Sequence, residues 1–168
     1  DREARDMFLA DRGCVGVEVD LSQAEARIVY LAIYRLTGDR DMLNKALLRP
    51  DEYDQHTEMA AKIFNKAPEE VTKLDRYLGK TTVHAAQREQ SGKGLSERLA
   101  KDGYFYSQLE CDGFIKGYKK AVPGLEDYFR WVRGRIISDR KLMTDWGRIL
   151  RFDYDRLDNS VYRAGYSF

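Results

Sequence analysis

Histidine and cysteine are scarce in this chain, and their scarcity narrows the chemistry open to it. The 168 residues contain two histidines, His56 and His84, and two cysteines, Cys14 and Cys111. With no His/Cys cluster there is no zinc-ligand pattern. The cysteines are far apart and form no Cys-x-x-Cys, so they read as free thiols in a reducing compartment rather than a disulfide framework. No signal peptide is visible and no apolar run is long enough to span a membrane. Repeats and low-complexity tracts are also absent. The formal net charge is only +1, so bulk charge does not attract a polyanion, and any nucleic-acid partner must be served by a local patch. Possible Ser-His-Asp sets lack a nucleophile-elbow context, which discounts acyl transfer. What is present, 43% apolar and 34% charged residues, is the balance of a soluble globular domain large enough to bury a core.

The pattern along the chain is mostly helical with a few strands. Residues 14–20, CVGVEVD, alternate Val15, Val17 and Val19 with polar or small residues, which predicts a strand with one apolar face. Asp20 falls at its C-terminal end. Ala24, Ile28, Leu31, Ala32 and Tyr34 then follow at helical spacing over residues 23–36, with Ser22 as a cap. A loop with a short helix leads to Asp54, the expected N-cap of a helix over 55–64. Pro68, Glu69 and Glu70 read as the first turn of another helix. Helical character continues to about Gln90, where SGKG is expected to break it. Further helices are expected over 95–100, 105–121 and 125–137, then a hairpin turning at Asp145-Trp146-Gly147, and a last helix near the end.

The segment DRYLGKTTVHAAQREQ, residues 75–90, places Arg76, Lys80, His84 and Arg88 four apart. On a helix each such step drifts by only about 40°, so the four form one slowly winding row while Leu78, Val83 and Ala86 turn inward. Acids stand only at the ends, as Asp75 and Glu89. An unpaired cationic row suits a polyphosphate, whose oxygens Lys and Arg can contact; a solvated helix face is the plain alternative. Asp20 at a strand end suits a divalent cation, or simply caps the following helix. His56, in the first turn of its helix, can join nearby backbone N–H groups around an anion, or serve packing alone. Arg148 and Arg151 flank an aromatic turn that can meet a nucleic-acid backbone, or form an ordinary hairpin.

Taken in order, these segments resemble the family A DNA polymerases, the bacterial DNA polymerase I-like group and especially its phage and metagenomic members. VEVDLSQAEARIVYLA resembles the first palm motif, with its Asp-x-Ser-Gln-x-Glu core, and DQHTEMAAKIF the Asp-x-His-Thr helix that follows. RYLGKTTVHAA resembles the fingers motif Arg-x-x-x-Lys. YKKAVPGLEDYFRWV and TDWGRILRF match the later helix and Gly-Arg turn, and VYRAGYSF the lead-in to the next palm helix. The resemblance implies an α+β, mostly helical fold. Residues 1–36 would be palm, 37–137 helical fingers, and 138–168 a return to the palm. It implies Asp20 as a metal ligand and catalytic residue, Lys80 as catalytic, and Gln23, Glu25, His56, Arg76, Lys80 and His84 as nucleotide-binding. Glu25 would crowd a ribose 2′ position, and Arg88, Arg148 and Arg151 would meet DNA. The partners implied are primer-template DNA, deoxynucleoside triphosphates and Mg2+ in a two-metal site. The setting implied is the cytoplasm of a bacterial or phage-infected cell.

Three departures qualify the match. Arg88-Glu89 stands where the family has Tyr-Gly, which is expected to set a carboxylate against a phosphate chain. Leu21 replaces a common aromatic. The chain opens on Asp1 and stops at Phe168, before the motif of the second catalytic carboxylate, so it reads as an incomplete piece not expected to polymerise by itself, with the remainder of the polymerase as its missing partner. The rival readings are a non-catalytic nucleotide- or nucleic-acid-binding module of the same fold and a plain helical interaction domain.

Overall fold

A computed structural model describes residues 10–17, 19, 21–144 and 146–166. Among these residues the chain forms eight α-helices and one antiparallel pair of strands. In order they are α1 (Ala24–Thr37), α2 (Arg40–Leu47), α3 (Gln55–Phe64), α4 (Lys73–Gln87), α5 (Gly92–Lys101), α6 (Gln108–Ala121), α7 (Leu125–Asp139), β1 (Lys141–Met143), β2 (Ile149–Arg151) and α8 (Asn159–Tyr166). The mostly helical α+β expectation is met. The core joins Ile33 of α1, Met59 of α3, Val83 of α4, Leu95 and Leu99 of α5, Phe129 and Ile136 of α7, and Phe152 beyond β2.

The helix starts follow local chemistry. Asp54 caps α3, accepting from the His56 amide at 3.0 Å. Thr72 and Asp75 cap α4 reciprocally, at 3.2 and 3.0 Å. Pro68–Glu70 is a single 3-10 turn ahead of α4 rather than its first turn. Ser22 does not cap α1: Gln23 takes that place in a left-handed conformation, φ 57°, without a side-chain cap. The hairpin forms where expected, with Gly147 at φ +80° and Leu142 opposite Leu150; Asp145 of its expected turn lies outside the described residues.

Two expectations fail for physical reasons. The preceding helix does end, at Gln87, near the expected break, but SGKG itself starts the next helix. Ser91 caps α5 and Gly92 lies in its first turn, where a Cβ would fall 2.2 Å from Asp112 Oδ1. That close approach, closed by a hydrogen bond from the Gly92 amide to the same oxygen at 2.8 Å, is what the glycine is for. The strand expected over 14–20 is not formed among its described residues, 14–17 and 19. A strand needs a partner ladder, and in the described residues only β1 and β2 pair. Val15, Val17 and Val19 are instead 85%, 80% and 78% exposed. Glu18 and Asp20 lie outside the described residues.

The close packing of α3 on α4 positions the site. A Cβ on Gly79 would sit 2.2 Å from the His56 carbonyl oxygen and 2.9 Å from the Ala60 nitrogen, both backbone atoms. Gly79→Ala must therefore push the helices apart and should destabilise the chain by ~1–3 kcal/mol, read as a fall in the urea midpoint; an unchanged midpoint would contradict this packing. The unpaired valine segment generates a second expectation. With Trp146 also 84% exposed, the chain should self-associate with rising concentration, and Val17→Lys should reduce it. Sedimentation of a monodisperse monomer over a wide concentration range would oppose this.

Candidate nucleotide-binding site

The row of four is real as geometry but not as free charge. Arg76 and Lys80 are exposed on α4, His84 lies in its last turn, and Arg88 is its C-cap. Arg76 Nε donates to Asp54 Oδ2 at 2.6 Å. Arg88 donates to Glu25 Oε1 at 2.6 Å, and His84 Nδ1 lies 3.1 Å from Glu25 Oε2. The expectation of an unpaired row is corrected: its carboxylate partners come from α1 and from the cap of α3, far away in sequence. Among the described residues, only Lys80 of the row has no carboxylate partner.

Asp54 also engages donors in the first turn of α3. It accepts from the His56 amide and the Thr57 hydroxyl besides Arg76. The cap of α3 therefore already engages the His56 amide, one of the N–H groups expected to face an anion there. Burial alone would raise the Asp54 carboxyl, but the Arg76 guanidinium and these hydrogen bonds outweigh it and hold it below the usual range.

His56 is 4% exposed, and its Nδ1 has no hydrogen-bond partner among the described residues. Burial, then the charges of Arg76 and Lys80 and the neighbouring His84, lower it to about 4 against the pull of Asp54. The two imidazoles are 5.7 Å apart. Burial likewise lowers His84, with Arg88 and Lys80 adding to it and Glu25 opposing. Both rings are therefore neutral at pH 7, and the positive charge here belongs to Arg76, Lys80 and Arg88. Gln23 joins α1 to this region, its Oε1 accepting from the Gln55 amide at 3.3 Å.

A cleft of about 70 Å³ opens beside the lower end of α4, with Glu25, Ile28, His84, Arg88, Tyr128 and Tyr166 among its lining residues. The structure thus brings together Gln23, Glu25, His56, Arg76, Lys80, His84 and Arg88. Arg148 and Arg151 are exposed on the separate β1–β2 hairpin. Asp20 is outside the described residues, and among those described no group of three His, Cys, Asp or Glu side chains is placed to hold a metal ion. No described helix is long and apolar enough to cross a membrane.

Sequence reasoning missed Arg133 and Tyr166. Both bind the Glu89 carboxylate, Tyr166 through its hydroxyl at 2.9 Å. The carboxylate expected to face a phosphate chain is instead held by these two partners. No local pattern links positions 89, 133 and 166. Arg133 carried no signal beyond belonging to an expected helix.

The structure thus sets an exposed cation, Lys80, and a buried imidazole, His56, at a closely packed helix pair on a mostly helical scaffold. The model of DNA polymerase family A matches residues 1–165, and the chain belongs to that family. It is 33% identical over 150 residues to a DNA polymerase of Bacillus phage SP01, covering 88% of this chain and 15% of that one. It is 28% identical over 137 residues to the thermostable DNA polymerase I of Thermus thermophilus, covering 82% of this chain and 15% of that one. The chain therefore spans about 15% of the length of these relatives. Its fold matches the POL domain of Pol1 from M. smegmatis, in complex with DNA primer-template and dNTP. That match has a TM-score of 0.65 and 24% identity, over 88% of this chain and 25% of that one.

The lowered His56 carries a pH signature. Its value of about 4 lies below the 6.5 of an unburied histidine. Between these values the unfolded chain binds the proton and the folded chain does not, so stability rises with pH there. The contribution is complete above about pH 6.5 and is lost as pH falls through about 4. His56→Gln should therefore lose less stability between pH 7 and pH 4.5 than the unmutated chain, measured by urea midpoints. An equal loss would remove His56 as a source of the acid sensitivity.

Proposed function

We propose that this chain is a palm–fingers part of a polymerase that adds deoxynucleotides to a primer 3′-hydroxyl under the direction of a template, in the cytoplasm of a bacterial or phage-infected cell. Residues 1–36 and 138–168 belong to its palm and 37–137 to its fingers. The observation that carries the reading is Lys80: an exposed cation without a carboxylate partner among the described residues, one turn from Arg76 and close enough to His56 to lower it.

In this reading α4 faces the incoming triphosphate. Lys80 neutralises phosphate oxygens, Arg76 adds donors while Asp54 orients it, and the neutral His56 offers a hydrogen bond without charge. The primer hydroxyl attacks the α-phosphate and gives up its proton to solvent, the bond to the β-phosphate breaks, and pyrophosphate leaves; a positioned cation stabilises charge on the departing oxygens. Family membership implies divalent-metal chemistry in general. Mg2+ with Asp20 as a ligand rests on the sequence motif alone, and the described residues supply no metal cluster. Gln23 and Glu25 border the sugar, His84 and Arg88 the base-pair side, and Arg148 and Arg151 on the hairpin are assigned to DNA. The binding-only alternative draws support from Arg76 and Arg88 already being engaged by Asp54 and Glu25; primer extension by the full-length protein separates the two.

Lys80→Ala should weaken deoxynucleoside triphosphate binding by ~1.5–3 kcal/mol, the range for a charge-assisted contact, or roughly ten- to over a hundredfold. The loss should shrink as salt rises, because screening already weakens the contact in the unmutated chain. A titration of labelled nucleotide with magnesium at two salt concentrations checks this. Equal affinities at low salt would leave Lys80 as surface charge.

A further inference from the structure

We infer that Arg88 is a positioning residue for Glu25 and so sets sugar selectivity at this site, a role that rests on the polymerase reading above. The Glu25 carboxylate is held from the end of α4: Oε1 accepts from the Arg88 guanidinium at 2.6 Å, and Oε2 lies 3.1 Å from His84 Nδ1. Glu25 lies in the first turn of α1, and its side chain is 43% exposed. An ion pair that open to solvent adds little to stability. Its effect is on geometry instead. An unrestrained glutamate samples many rotamers, whereas a carboxylate tied to the Arg88 guanidinium is kept at the edge of the cleft, among Ile28, Tyr128 and Tyr166.

Arg88 is itself fixed from the far side. The next residue, Glu89, takes a left-handed conformation, φ 51°, and its carboxylate binds Arg133 of α7 and the Tyr166 hydroxyl of α8. The turn that carries Arg88 is thus tied to α7 and α8, while the guanidinium reaches across to α1. Residues 88 and 89 work in opposite directions, and the carboxylate of Glu25 is where their restraint ends. A group whose place is fixed discriminates by sterics more sharply than one that can swing aside. The pair that departs from the family pattern is therefore a selectivity element rather than a defect.

The test uses the full-length polymerase that carries this chain, in single-turnover incorporation of matched deoxy- and ribonucleoside triphosphates. Glu25→Ala, Arg88→Ala, Arg88→Lys and the double Glu25→Ala/Arg88→Ala are compared. Arg88→Ala should lower the deoxy-over-ribo ratio of kcat/KM by about five- to tenfold, the size expected for directly coupled neighbours. Arg88→Lys, which keeps the charge but not the fork of donors, should recover part of the ratio. The double variant should select no worse than Glu25→Ala alone, because Arg88 acts through Glu25. Damage to the fold in general lowers incorporation of both sugars and leaves their ratio unchanged. A ratio unmoved by Arg88→Ala but lowered by Glu25→Ala overturns the role of Arg88 and spares the reading of the site. A ratio unmoved by Glu25→Ala, or no primer extension by the unmutated enzyme, overturns that reading itself.

Discussion

The approach of α3 to α4 at Gly79 is the constraint on which the site depends. Only a hydrogen fits between that Cα and the backbone of His56 and Ala60. The contact buries His56, and burial is the first reason its ring is neutral. It also brings the cap of α3 within reach of Arg76, so that Asp54 closes a helix end and an ion pair at once. Charge along α4 is graded as a result: neutralised at Arg76, open at Lys80, absent on His84, and neutralised again at its C-cap Arg88 by Glu25.

The α+β, mostly helical fold was readable from the chain because most helices carry their own start signals. Asp54, Thr72 with Asp75, and Ser107 with Glu110 cap helices through contacts within three residues. The hairpin was equally local, since Gly147 supplies the positive φ that its turn requires. The reading failed where the cause lies elsewhere in the chain. SGKG looks like a breaker until Asp112, twenty residues on, occupies the space beside Gly92. The alternating valines from Val15 to Val19 look like a strand, but alternation only prepares a face; pairing needs a second strand.

The site was legible as a set of residues and misread as a set of charges. Spacing placed Arg76, Lys80, His84 and Arg88 along one helix, and the structure keeps them there. What spacing cannot report is partners from other elements. Arg76 meets Asp54 across 22 positions, Arg88 meets Glu25 across 63, and Glu89 meets Tyr166 across 77. Counting acids near the row in sequence therefore missed Asp54 and Glu25 and left Lys80 indistinguishable from its neighbours.

Glu89 shows how such long-range partners change what a position tolerates. A left-handed conformation costs a non-glycine residue about 1–2 kcal/mol, which is why a turn of this kind favours glycine. Here the side chain that glycine lacks accepts from a guanidinium and a phenol hydroxyl, and hydrogen bonds to a charged group contribute about 1.5–3 kcal/mol when partly shielded. Solvent screening reduces that gain, since the Arg133 side chain is 36% exposed, so the two terms are of similar size. The left-handed turn is then held by its side chain instead of being merely permitted by the absence of one. A glycine at position 89 would adopt the same φ at less strain but would leave α4, α7 and α8 unlinked there. Rigidity at the end of the cationic helix is what the glutamate adds.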